Sequence, residues 1–245
     1  MLNHPTLQHL RAMKLDGMAH AFQEQLELNN ARDLSFEERL GLLVDRELTT
    51  RDNRSLARRL KNAKLKQQAS LEDLDTRHPR GLDNKLLRSL AACSWLKDHH
   101  NLIITGPTGV GKTYLACAFA HQACRQGYSA LYSQTSRLLP ELQLAKADGR
   151  YFKLLAQLAR TDLLILDDWG LEPPTAEQRR ILLELLDDRY DRRATLITSQ
   201  FPTSLWHDQL ADPTLADAIL DRVLHNAYRI ELKGESMRKT RAQGS

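Results

Sequence analysis

The chain is poor in cysteine and in aromatic residues, and it has no long apolar run. Of its 245 residues only Cys93, Cys117 and Cys124 are cysteine, and no two of them form a C-x-x-C pair. An odd number of thiols without metal-ligand spacing excludes a disulfide framework and a structural zinc site, and it fits a reducing compartment. No segment approaches the roughly 18 apolar residues that a membrane-spanning helix needs, and the opening "MLNHPTLQHLRAMK" has no apolar core of signal-peptide length. A cytoplasmic protein without a membrane partner is expected. Internal repeats and low-complexity tracts are also missing. The formal net charge of +4 is too mild to identify a polyanionic partner, so the placement of charge has to carry any such argument.

What is present suits a core. With 42% hydrophobic residues the chain can fill one large domain, or one domain with an appendage. Between Thr6 and about Ala69, glycine occurs only at 17 and 41, and apolar residues recur at helical spacing, as in Leu7, Leu10 and Met13 or Leu40, Leu43 and Val44. The pattern changes across "HPRGLDNK" (78–85), whose Pro79 and Gly81 mark a connector. Two domains are expected, a small all-helical one over 1–75 and an α/β one over 76–245. In the second, "NLIIT" (101–105), "SALYS" (129–133), "DLLILD" (162–167), "ATLITS" (194–199) and "AYRIEL" (227–232) alternate with helical stretches. Such alternation implies a parallel sheet with helices on both faces.

Directly after the first of these strands stands "GPTGVGKT", comprising Gly106, Pro107, Thr108, Gly109, Val110, Gly111, Lys112 and Thr113, and it opens into a helical stretch. This is the G-x-x-x-x-G-K-[ST] phosphate loop in its required strand–loop–helix context. The glycines let successive N–H groups converge on phosphate oxygens, the helix N-terminus reinforces them, and Lys112 adds a point charge. Thr113 is placed to put its hydroxyl on Mg²⁺, so a magnesium-bound nucleoside triphosphate is the expected ligand. A phosphate loop needs an acid on a neighbouring strand, and "LLILDD" ends one. Asp167 is the metal-side candidate. Asp168 then orients or deprotonates the attacking water, unless it only caps the turn into Trp169 and Gly170.

"GPTGVGKT", "LLILDDWG", "LITSQFP" and "GESMRK" follow in that order, and "KLDGMA" (14–19) precedes them. With these motifs the chain resembles, over most of its length, the IstB-like ATPases encoded beside a transposase in bacterial insertion sequences, which are similar to the DnaC helicase loaders. The resemblance implies an AAA+ fold of the initiator clade, with ATP bound between subunits of a homo-oligomer and a transposase as partner. It implies that Gln200 senses the γ-phosphate and that Arg222 in "LDRVLH" reaches a neighbour's site as the arginine finger. It also implies that Arg238 in "GESMR" touches nucleotide in its own subunit. The plain alternatives are a turn residue, a helix-surface charge and a tail charge. Related ATPases usually carry Glu where Asp168 stands, so the shorter side chain implies slow hydrolysis. The short tail after the last strand implies that a full C-terminal lid is lacking.

Charge is concentrated in "RDNRSLARRLKNAKLK" (51–66), where seven basic residues face one acidic, a local +6 against the +4 of the whole chain. On a helix Arg51, Arg54, Arg58, Lys61 and Lys64 share one stripe, with Arg59 beside it, while Leu56, Leu60 and Ala63 turn inward. Such a stripe tracks a phosphate backbone without reading bases, and its lack of aromatics favours duplex over single-stranded DNA. A solvated helix face is the alternative. Lys146, Arg150 and Lys153, between the second and third strands, are further DNA candidates, because the initiator clade carries a DNA-facing helical insertion there. The expected activity is an ATPase that assembles on duplex DNA in transposition. A DnaC-like loader of single-stranded DNA, a small-molecule P-loop kinase and a module that holds ATP without hydrolysing it are the rivals.

Overall fold

A computed structural model describes residues 5–27, 33–75 and 80–237. The chain forms two compact units, Met1–Arg58 and Arg59–Ser245.

Among its described residues the first unit consists of helices and the short turns between them. It contains α1 (Pro5–Ala12), α2 (Asp16–Glu27) and most of α3 (Phe36–Ala63), whose last turn belongs to the second unit. Leu7, Leu10 and Ala19 form its small core, with Leu15, Met18 and Phe22 packed against them. Gly17, in "KLDGMA", lies where α2 meets α3: a Cβ there would come within 2.7 Å of the backbone of Arg46 and Glu47, so only glycine allows this approach. Glu47, nearly buried, accepts from the Met18 N–H at 3.1 Å and from Arg51 Nε at 2.7 Å, tying the two helices together.

The second unit adds α4 (Asn84–Ala91) and α5 (Ser94–Lys97), then alternates strand and helix. Its elements are β1 (Asn101–Thr105), α6 (Lys112–Arg125), β2 (Ala130–Gln134), α7 (Thr135–Ala147), α8 (Tyr151–Arg160), β3 (Leu163–Trp169), α9 (Ala176–Arg189) and β4 (Ala194–Ser199). They are followed by α10 (Trp206–Leu210), α11 (Pro213–Leu224) and β5 (Ala227–Glu231). The sheet is parallel, in the order β2-β3-β4-β1-β5. β1 and β4 are buried along their whole length, as expected for continuous aliphatic runs sandwiched between helical layers. Trp95, Trp169 and Trp206 are all buried, and the rings of the last two lie 5.4 Å apart.

Two features depart from the pattern read in the sequence. Residues 59–75 pack with the α/β unit: Ala69 is buried against Cys117 and Ala118 of α6, with Leu65, Leu71, Tyr114 and Tyr132 around them. The compact-unit boundary therefore falls at Arg58, well before the change of composition at 75–76. The strand bearing the paired aspartates is also not the direct neighbour of β1. β4 lies between them and brings its own C-terminal end, with Gln200, to the loop. Hydropathy reports that a strand is buried but not its place in the sheet.

Candidate nucleotide site

The phosphate loop leaves the buried C-terminal end of β1 and returns at Lys112, the first residue of α6. Gly111 stands at the N-cap position with φ of +101° and makes no side-chain cap bond. The first N–H groups of a 14-residue helix are thus left for an outside acceptor, the arrangement that binds anions. Gly106 and Gly109 are fixed by close approach as well as by φ. A Cβ on Gly106 would lie 2.3 Å from the Leu232 carbonyl oxygen, and one on Gly109 2.1 Å from Ser236 Oγ. The chain after β5 lies against the loop, and the Met237 N–H donates to the Gly109 carbonyl at 3.0 Å. Lys112 is nearly buried and donates from Nζ to the carbonyls of Gly106 (2.6 Å) and Pro107 (2.8 Å). Burial lowers its pKa, and Asp168 and Asp167 oppose that shift.

Asp167 is wholly buried and accepts from three hydroxyls: Thr113 Oγ1 at 3.0 Å, Tyr132 OH at 2.5 Å and Thr198 Oγ1 at 2.5 Å. Burial, and then the bond to Asp167, raise the Tyr132 pKa, so the phenol remains a donor. The β3–β4 register runs from Leu166 opposite Ile197 to Trp169 opposite Ser199, which leaves one extra residue on β3. Asp168 absorbs it with a left-handed φ of +61°. This bulge separates the two carboxylates: Asp167 stays beneath Thr113, while Asp168 lines the cavity. Asp168 donates its N–H to Thr198 Oγ1 at 3.1 Å and accepts from Gln134 Nε2 at 3.3 Å. A non-glycine residue in that conformation is strained, and such strain concentrates at functional positions.

Gln200, just past β4, accepts from Thr108 Oγ1 at 2.7 Å, so a residue of the fourth strand's end and the phosphate loop meet. Thr108, Gly109, Gly111, Lys112, Thr113, Asp168 and Gln200 line one side of a cavity of about 350 Å³. The rest of its lining includes Lys66, Gln67, Asp73, Leu74, Asp75 and Arg80, together with Met237. Sequence reasoning missed this second wall. Arg80 is part of it: buried, it donates from Nη2 to the Asp75 carbonyl at 2.8 Å, and its pKa is lowered by that burial. The residues present fit a magnesium-bound triphosphate, with glycines where a Cβ would collide, uncapped helix N–H groups, and a hydroxyl–carboxylate pair beneath them.

The structure does not bring every candidate to this cavity. Arg222 lies at the opposite end of β1, where its carbonyl accepts from Asn101 Nδ2 at 3.0 Å. It is removed from its own phosphate loop by the strand's length, about 13 Å at ~3.3 Å per residue. Its Nε pairs with Asp187 at 2.6 Å. Arg238 lies outside the described residues, as do His78 and Pro79 of the expected connector. In the basic run, Arg51 pairs with Glu47, Arg54 with Asp16 at 2.8 Å, and Arg59 donates to the Cys124 carbonyl at 2.8 Å. Arg58, Lys61 and Lys64 are exposed. Lys146 sits 4.8 Å over the Tyr151 ring and 3.9 Å from Glu177, Arg150 pairs with Asp148, and Lys153 is exposed beside Phe152, which is 78% exposed.

Comparison with known proteins agrees with this geometry. The profile of the family described as "IstB-like ATP binding protein" matches residues 8–245. Insertion-sequence ATP-binding protein y4pL of Sinorhizobium fredii is 52% identical over 245 residues, covering 100% of both chains. The ATP-binding protein of insertion sequence IS21 from Pseudomonas aeruginosa is 34% identical, covering 94% of this chain and 86% of its own. Among solved structures, DnaI superposes with a TM-score of 0.59 at 26% identity, covering 68% of this chain and 92% of its own. AMPPCP-bound DnaA from Aquifex aeolicus shares the fold, with a TM-score of 0.55 at 20% identity over 74% of this chain and 56% of its own. The fold is that of the P-loop AAA+ proteins. No helix among the described residues is long and apolar enough to cross a membrane. The chain belongs to the IstB-like family of insertion-sequence ATP-binding proteins.

Proposed function

We propose that the protein is a magnesium-dependent ATPase of DNA transposition, which assembles on duplex DNA with ATP bound and engages the transposase of its element, hydrolysis being the release step. The observation that carries this reading is the separation of two adjacent carboxylates by the β3 bulge, with Asp167 under Thr113 and Asp168 on the cavity. Lys112 and the loop N–H groups hold the triphosphate. Thr113 and Asp167 hold magnesium, which when bound neutralises charge on the phosphate oxygens. Asp168, steadied by Gln134, orients the attacking water and takes its proton, and Gln200 with Thr108 contacts the terminal phosphate. Arg222 serves a neighbouring subunit's site, a role its distance from its own loop supports, and it leaves Asp187 to do so.

Two substitutions separate these roles. Asp168→Asn is expected to keep affinity for an ATP analogue within about twofold and to lower turnover on the order of a hundredfold or more, the usual worth of a general base. Arg222→Ala is expected to keep binding but to lose about a thousandfold in turnover, as arginine fingers do. Mixing it with Asp168→Asn protein should restore part of the activity, because each variant supplies what the other lacks. Full turnover by Arg222→Ala in dilute solution would remove the shared site. ATPase rates measured with duplex, with single-stranded DNA and with neither test the partner: stimulation by single strands alone would favour a helicase-loader role. Exposed Arg58, Lys61, Lys64 and Lys153 are the cations we assign to the DNA backbone first.

A further inference from the structure

α3 ends at Ala63, and Lys64 takes a left-handed φ of +50° that turns the chain toward α6. Leu65 and Ala69 then pack around Cys117, and the backbone amides of Lys66 and Gln67 face its thiol. This anchoring carries the last cation of the basic run into the nucleotide cavity. Lys66 Nζ lies 3.5 Å from Asp167 Oδ2, although its own side chain is 43% exposed. The other groups touching the Asp167 carboxylate are the neutral hydroxyls of Thr113, Tyr132 and Thr198. Lys112 is committed to two loop carbonyls. Among the described residues, Lys66 is thus the one cation at ion-pair distance from a carboxylate that is completely buried, and a buried carboxylate needs a charged partner.

We infer that Lys66 is the resident counter-ion of Asp167, and that a divalent cation arriving with nucleotide at Thr113 and Asp167 displaces its ammonium from the same carboxylate. The inference rests on the nucleotide-site reading above. A half-exposed ammonium on a flexible stem is easily released to water, so it fills the charge requirement of Asp167 without blocking the site. It sets instead how much magnesium the site demands.

The test is a magnesium titration of the full chain with a fluorescent ATP analogue, starting from chelator, for the unmodified protein, Lys66→Met and Lys66→Arg. With the competitor removed, half-maximal binding in Lys66→Met should need about fivefold less magnesium, the equivalent of a pair worth ~1 kcal/mol, with affinity at saturating magnesium unchanged within about twofold. Lys66→Arg should stay near the unmodified protein. An unshifted midpoint, or an equal loss of affinity at every magnesium concentration, overturns the inference and leaves Lys66 a packing residue of the cavity wall. Failure of the unmodified protein to bind the analogue at any magnesium level overturns the nucleotide site itself, and is recognised by that separate result.

Discussion

Lys112→Ala is expected to weaken binding of an ATP analogue on the order of a hundredfold and to abolish ATP-dependent assembly. The Lys112 ammonium is nearly buried between the Gly106 and Pro107 carbonyls, and burial already depresses its pKa. Its charge is held at a desolvation cost that only a stronger anionic partner repays, and charge-assisted bonds of this kind contribute about 1.5–3 kcal/mol. Exchanging the two carbonyls for phosphate oxygens supplies that partner. Alanine removes the charge and its cost together, so the free protein should change little in melting temperature while nucleotide affinity collapses. Fluorescence titration with a labelled analogue reads the affinity, and size-exclusion chromatography with nucleotide and duplex reads the assembly. Undiminished affinity would show that the ammonium does not reach the phosphates.

The contrast between free-state stability and ligand affinity at Lys112 bears on what the sequence discloses. The eight-residue loop is legible because its chemistry constrains residue type at fixed spacing, and the aliphatic runs of β1, β3 and β4 are legible because both faces of a parallel strand are buried. The roles of neighbours that act through tertiary geometry are not written locally. Nothing in "LLILDD" announces that Asp168 sits on a bulge with φ of +61°, since the extra residue exists only relative to β4. Nothing distinguishes Lys66 from the other cations of its run, because the turn at Lys64 and the packing of Ala69 on α6 decide where it goes. The same packing explains why composition and contact place the unit boundary differently. In the basic run, helical periodicity selects a stripe but not its partners: Arg51 pairs with Glu47 one turn earlier on the same helix, and Arg54 and Arg59 are engaged by Asp16 and the Cys124 carbonyl, far apart in sequence. Within "GESMR", a family signature, Ser236 and Met237 have a physical reason in the fold, since they close on Gly109.

Gly106→Ala is expected to lower the melting temperature by roughly 6–12 °C, the shift that about 3 kcal/mol produces in a domain of this size. Gly106 has φ of +146°, and its added Cβ would meet the Leu232 carbonyl oxygen at 2.3 Å, with the Leu232 carbonyl carbon and Cβ at 3.1 Å. The obstacle is backbone, and it cannot step aside. Leu232 is buried, and its N–H is held by the Thr105 carbonyl at 2.8 Å, in the register that continues β5 alongside β1. The cost must therefore be met by moving the phosphate loop, and nucleotide binding should fall with stability. Gly127→Ala separates the two contributions. Its φ of +95° is as unfavourable for a side chain, yet no atom lies within 4 Å of the new Cβ. Backbone strain alone should cost about 1–2 kcal/mol there, a shift of roughly 2–8 °C, with nucleotide affinity unchanged. Equal melting shifts and equal affinities for the two variants would mean that the chain after β5 does not brace the loop; a larger loss at Gly106, appearing in both readouts, identifies that contact as the one that holds the loop in shape for phosphate.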